Sequence, residues 1–101
     1  MMISNKNQSA DLYAAIASLS TPEDVQALLT DLCTPQELMA INQRFAVAGM
    51  LWEGKYYSEI IEATGASSAT VSRVKRSIYG GRGYELVFGK QGPDGEDTAD
   101  A

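Results

Sequence analysis

The chain has 101 residues, 45% of them hydrophobic, and a net charge of −5 with no histidine; that length suits one domain rather than two. Its single cysteine, Cys33, excludes an internal disulfide and is compatible with a reducing compartment. No window comes near the ~20 apolar residues of a membrane span and residues 1–8 hold no apolar signal core, so a cytoplasmic protein with no membrane partner is expected.

Residues 1–8 are polar and expected to be disordered. From Ser9 to Leu19, the apolar residues Leu12, Tyr13, Ile16 and Leu19 recur at helical spacing, with Ser9 or Asp11 as candidate cap. Thr21-Pro22-Glu23-Asp24 then opens a second helix: a threonine to accept free N–H groups, a proline whose missing N–H costs nothing at that place, and two acids facing the positive end of the dipole. Val25, Leu28, Leu29 and Leu32 form its apolar side, and it is expected to stop near Cys33.

Thr34-Pro35-Gln36-Glu37 repeats the device with a glutamate placed to reach back to the cap. The third helix is apolar on more than one side: Leu38, Ile41 and Phe45 share one face, and Met39, Ala46 and Met50 another. Such a helix lies deep in a core or in an interface. Gly49 within it costs about 1 kcal/mol of helix propensity and is either a close helix crossing or incidental. Gly54 ends the helix.

Residues 57–78 read as a helix-turn-helix. A short helix carries Ile60 and Ile61, and Gly65 breaks it. Ser67 and Ser68 can cap the next helix, which shows Val71, Val74 and Ile78 as one apolar stripe. Its remaining surface begins with small and hydroxyl side chains, Ala69, Thr70 and Ser72, and continues with Arg73, Lys75 and Arg76. That order suits a helix entering the DNA major groove by its N-terminal end.

The acidic net charge does not oppose this. Residues 65–82 hold Arg73, Lys75, Arg76 and Arg82 and no acid, whereas residues 91–101 hold Asp94, Glu96, Asp97 and Asp100 and no base. Beyond a Debye length of ~8–10 Å charges are screened, so the local field decides phosphate binding. Arg73, Lys75, Arg76 and Arg82 are candidate phosphate contacts, with Lys75 equally readable as a solvated helix residue. Ser68, Ala69 and Ser72, with Thr70 and Ser67 beside them, would lie nearest base edges, where short side chains suit thymine methyls or water-mediated contacts. The rival reading is a protein-interaction module whose helix-turn-helix docks a partner protein, with the acidic tail touching a basic surface.

No catalytic constellation, phosphate loop or metal spacing is present, so neither an enzyme nor a cofactor is expected. Cys33 reads as a small core residue, and Trp52, Tyr56 and Tyr57 as aromatic packing beneath the helix-turn-helix. After Ile78, Gly80-Gly81-Arg82-Gly83 is too glycine-rich to continue a helix, and Glu85-Leu86-Val87-Phe88 is an apolar run open between strand and turn.

Thr34-Pro35 opening a long helix, Arg44 within it, Gly54, and then Gly65-Ala66-x-x-Ala69-Thr70-Val71-Ser72-Arg73 resemble the Trp repressor family, in particular its YerC/YecD-type members. The resemblance covers roughly residues 10–80 and implies an all-α helical bundle, an intertwined homodimer, and two recognition helices on double-stranded DNA. The expected organisation is a disordered N-terminus (1–8), a helical dimerisation region (9–54), the helix-turn-helix (55–79) and a glycine-rich, acidic flexible tail (80–101). Through it, Arg44 and Arg73 match the two arginines that hold L-tryptophan in the founding member, a role suited to arginine with a carboxylate. The chain departs from the family in three places: Val74 replaces a glycine, and a β-branched side chain there would fill the indole slot; Gly80-Gly81-Arg82-Gly83 stands where the family has another helix; and Ser58 and Ile61 stand where the first helix of the motif is basic. L-tryptophan is therefore not the expected effector, and another small ligand or none is. For Arg44 an ion pair with Glu37 or another helix acid is the alternative role.

Overall fold

The computed structural model describes residues 8–89, with side chains from residue 11 onward. Six helices and no strand occur among the described residues: α1 (Gln8–Ala17), α2 (Pro22–Leu32), α3 (Pro35–Trp52), α4 (Tyr57–Thr64), α5 (Ser68–Ile78) and α6 (Arg82–Phe88). The all-α class that the resemblance implies is what the described residues adopt. The expected acidic stretch 91–101 and the first seven residues of the expected disordered N-terminus lie outside the described residues. The backbone divides into two compact units at Leu38/Met39.

The first unit holds α1, α2 and the opening turn of α3. Its helix starts follow the cap chemistry. The Thr21 hydroxyl accepts the Asp24 N–H at 3.1 Å, with Pro22 in the first turn. At α3 the capping box closes in both directions: the Thr34 N–H donates to Glu37 Oε1 at 2.8 Å, and the Glu37 N–H to Thr34 Oγ1 at 3.1 Å. Neither Ser9 nor Asp11 stands outside α1 as its cap, because the helix already begins at Gln8. No residue of α2 is buried; Leu12, Tyr13 and Leu32 are exposed. Two short helices cannot enclose their own apolar stripes.

The second unit runs from Met39 through α6. Its core is Val47, Ala48, Leu51, Ile60, Ala66, Val71, Val74 and Ile78, flanked by Met50, Trp52, Tyr57, Ile61, Tyr84 and Phe88. The stripe expected on α5 is the one buried. On α3 the core takes only part of the apolar surface. Neither the Ile41/Phe45 face nor the Met39 face is enclosed; Ile41, Phe45 and Met39 are exposed, and Val47, Ala48 and Leu51 turn inward. A helix apolar on several sides can offer only one of them to α4 and α5.

The region expected to be flexible from residue 80 is helical over Arg82–Phe88. The run Glu85–Phe88, open between strand and turn in the sequence, belongs to α6. The glycines do end α5, as expected, but they then permit a new helix. A Cβ at Gly81 would meet the Ser77 carbonyl oxygen at 2.5 Å, so only glycine passes this corner. Tyr84 and Phe88 lie one turn apart on α6. Phe88 stacks on Phe45 at 5.4 Å and on Trp52 at 5.3 Å between centroids, and Tyr84 stands 6.1 Å from it. Such ring pairs contribute about 0.5–1.5 kcal/mol each beyond area burial, which offsets the poor helix propensity of Gly83. Trp52 and Tyr57 thus pack as expected, while Tyr56 is 63% exposed.

Gly49 faces the Phe88 ring, and a Cβ placed on it would sit 3.8 Å from the ring, an ordinary contact distance. The close approach does not require glycine. Gly49→Ala is expected to raise unfolding stability by about 0.5–1 kcal/mol, read as a higher urea midpoint at unchanged slope. A lowered midpoint would contradict the ring geometry.

Candidate nucleic-acid interface

The candidate interface is built by α4, the turn at residues 65–67, and α5. Glu59 Oε1 accepts the Tyr56 N–H at 3.0 Å and fixes the start of α4. Gly65 then takes φ +76°, a left-handed conformation that costs an L side chain about 1–2 kcal/mol, and reverses the chain. Thr64 holds the turn from inside: its hydroxyl donates to the Ile60 carbonyl at 2.7 Å and accepts the Ala66 N–H at 3.1 Å. Ala66 is 1% exposed and anchors the turn in the core.

The Ser67 hydroxyl accepts the Thr70 N–H at 3.1 Å and donates to the Thr70 hydroxyl at 3.1 Å. Two of the four candidate DNA-contacting hydroxyls, those of Ser67 and Thr70, thus bond each other at the start of α5. With Val71, Val74 and Ile78 buried, the opposite surface of α5 is left outward. Ser68 and Ala69 are exposed there and Ser72 is half-buried. Arg73 and Arg76 are exposed along the same helix, and Arg82 is exposed at the first position of α6. Lys75 differs from its neighbours. It is half-buried, and its ammonium lies 5.8 Å from the centroid of the Tyr57 ring on α4, within cation–π range. That contact was not visible in the sequence, where Lys75 read as a phosphate contact or a solvated residue.

Arg44 stands exposed on α3. Glu37, one of its alternative partners, accepts the Thr34 N–H with its carboxylate oxygen Oε1. The neighbour of Arg44, Gln43, was not singled out from sequence. It is half-buried, and its Nε2 donates to the Thr64 carbonyl at 3.1 Å across 21 positions. Val74, the residue after Arg73, is 2% exposed and sealed in the core between α3 and α5. An apolar recess of about 390 Å³ lies elsewhere, lined by Phe45, Ser77, Gly81, Gly83, Tyr84 and Val87. Among the described residues, no helix is long and apolar enough to cross a membrane.

Comparison with known proteins fits this geometry. The family model described as Trp repressor protein matches residues 7–91. The uncharacterised protein YerC of Bacillus subtilis (strain 168) is 44% identical over 78 residues, covering 76% of this chain and 75% of the relative. Among solved structures, a TrpR-like protein from Eubacterium eligens ATCC 27750 superposes with a TM-score of 0.76 at 44% identity, covering 83% of this chain and 88% of that one. A candidate Trp repressor from Staphylococcus aureus does so with a TM-score of 0.72 at 35% identity, covering 83% and 91%. The six-helix arrangement is therefore a Trp repressor-like fold, and the chain belongs to the Trp repressor family.

Proposed function

We propose that the protein is a sequence-specific DNA-binding transcriptional regulator, a repressor, that reads a near-palindromic site as a homodimer. The observation that carries this is the outward surface of α5. Small side chains at its N-terminal end, Ser68, Ala69 and Ser72, are followed by exposed Arg73 and Arg76 in a stretch free of acids. Arginines on phosphates supply affinity, and small side chains let the helix approach base edges closely. Ser67 and Thr70 hold the helix start that presents them. Arg82, one turn of chain beyond α5, is a further phosphate contact.

Support for the homodimer comes from apolar side chains left exposed along α1, α2 and α3: Leu12, Tyr13, Leu32, Met39, Ile41 and Phe45. A dimer would take such side chains out of water, a favourable change roughly proportional to the apolar area covered. Two-fold symmetry would set the half-sites about one helical turn apart.

Binding to random-sequence DNA at ~50 mM and ~200 mM salt tests the DNA role against that of a protein-docking module. A phosphate binder loses affinity steeply over that range. Binding that is absent or indifferent to salt would favour the docking module.

Arg44 and Arg73 remain the candidate residues for a small anionic effector. L-tryptophan is not expected to be that effector, because Val74 packs its side chain into the core at the position where the family carries glycine. Millimolar L-tryptophan is therefore expected to leave the thermal midpoint unchanged, since only a ligand bound by the folded state raises it. A clear upward shift would show that Val74 leaves room for the indole.

A further inference from the structure

We propose that Gln43 is a positioning residue for the recognition helix, and that its side-chain amide fixes the half-site separation the protein accepts; this rests on the DNA-reading homodimer proposed above. The turn between α4 and α5 is held by two kinds of bond. One kind is local. The Gly65 N–H bonds the Ile61 carbonyl at 2.9 Å, Thr64 bridges Ile60 and Ala66, and Ser67 caps α5. These bonds set the angle between α4 and α5 but say nothing about where the turn sits on α3.

The second kind is the Gln43 bond. Thr64 is the last residue of α4, and the last carbonyls of a helix have no partner within it. The carbonyl of Thr64 is taken by Gln43 Nε2 from α3 at 3.1 Å. The amide lies against the turn itself: a Cβ on Gly65 would be 3.9 Å from the same nitrogen. The buried cluster that α3 shares with the head is apolar: Val47, Ala48 and Leu51 together with Ile60, Val71 and Val74. Apolar burial is non-directional and tolerates small slides. A hydrogen bond is directional and loses strength steeply as its angle opens.

Gln43 thereby pins the N-terminal end of α5, which carries Ser68 and Ala69, to a fixed place along α3. In a dimer whose body includes both α3 helices, that place sets the distance between the two recognition helices. Gln43 touches no base or phosphate in this arrangement and acts only through Thr64.

The test is binding of wild type, Gln43→Met and Gln43→Lys to the selected site and to versions with a single base pair inserted or removed between half-sites. Methionine keeps the stem and the helix propensity but has no donor; lysine keeps a donor of similar reach. Wild type and Gln43→Lys should prefer the native separation. Gln43→Met should lose about fivefold of that preference, the factor of one hydrogen bond, with unchanged salt slope and base preference. Equal spacing preference in wild type and Gln43→Met would overturn the role of Gln43. So would an equal loss of affinity at every separation, which is the sign of a loosened head only. A wild type that binds no DNA, or binds every separation alike, would overturn the DNA-reading dimer and this inference with it.

Discussion

Replacing Arg73 and Arg76 together by alanine is expected to weaken binding to every DNA sequence and to flatten its salt dependence. Both side chains are exposed on the outward surface of α5, so their loss leaves the core untouched. Each phosphate contact contributes about one unit to the slope of log affinity against log salt. A dimer loses two such contacts from each head, and the slope should fall by about four. Between 50 and 200 mM salt, the loss of affinity should then be smaller by about a hundredfold. The thermal midpoint should not move. Lys75→Ala provides the contrast. Its ammonium is held against the Tyr57 ring, so it should flatten the slope by less than either arginine does. Its cost should appear instead as about 0.5–1 kcal/mol of stability. An unchanged slope in the Arg73/Arg76 double variant, at unchanged affinity, would remove α5 as the DNA-contacting surface.

The second large effect is expected in the core beneath that surface. Ile60 is fully buried, at 0% exposure, where α4 meets α3 and α5. Ile60→Ala removes three carbons from a site closed by Val47, Val71 and Val74, whose backbones are held by helix bonds and cannot collapse freely. The expected loss is about 2–5 kcal/mol, against a total of about 5–15 kcal/mol for a domain. Urea unfolding should show a lower midpoint at similar slope, with DNA binding failing at correspondingly lower denaturant. A change under about 0.5 kcal/mol would mean that Ile60 is not at the centre of the head.

The parts of this protein that were legible in its sequence are those decided by neighbours in the chain. Thr21-Pro22 and Thr34-Pro35 start helices because a cap hydroxyl needs only an N–H three residues on, and both bonds form. Gly65 ends α4 for an equally local reason, its positive φ. The stripe Val71, Val74 and Ile78 was readable because the other sides of α5 are polar, leaving one choice of inward face. On α3 that contrast is missing. Apolar side chains cover several sides, and the choice of Val47, Ala48 and Leu51 is made by α4 and α5, not by α3 itself.

Helix α6 was hidden for a related reason. Gly80, Gly81 and Gly83 speak locally against a helix, while the rings that hold it, Phe45 and Trp52, lie more than thirty positions earlier. At the candidate interface, the exposed arginines and small side chains were readable from composition. The division of labour among hydroxyls was not: Ser67 and Thr70 bond each other, which leaves Ser68 and Ser72 for the outward surface. Gln43 and the Lys75–Tyr57 contact were invisible, because a polar residue on a helix gives no periodic sign of what it reaches across the fold.

Selection of bound sequences from a random duplex pool reads affinity, symmetry and specificity of the protein together. A DNA-reading dimer is expected to enrich a two-fold symmetric site with half-sites about one helical turn apart, and the Arg73/Arg76 double variant to lose that enrichment. A pool that emerges from repeated rounds without any enriched sequence, while the wild-type protein remains folded, would contradict the DNA-reading dimer.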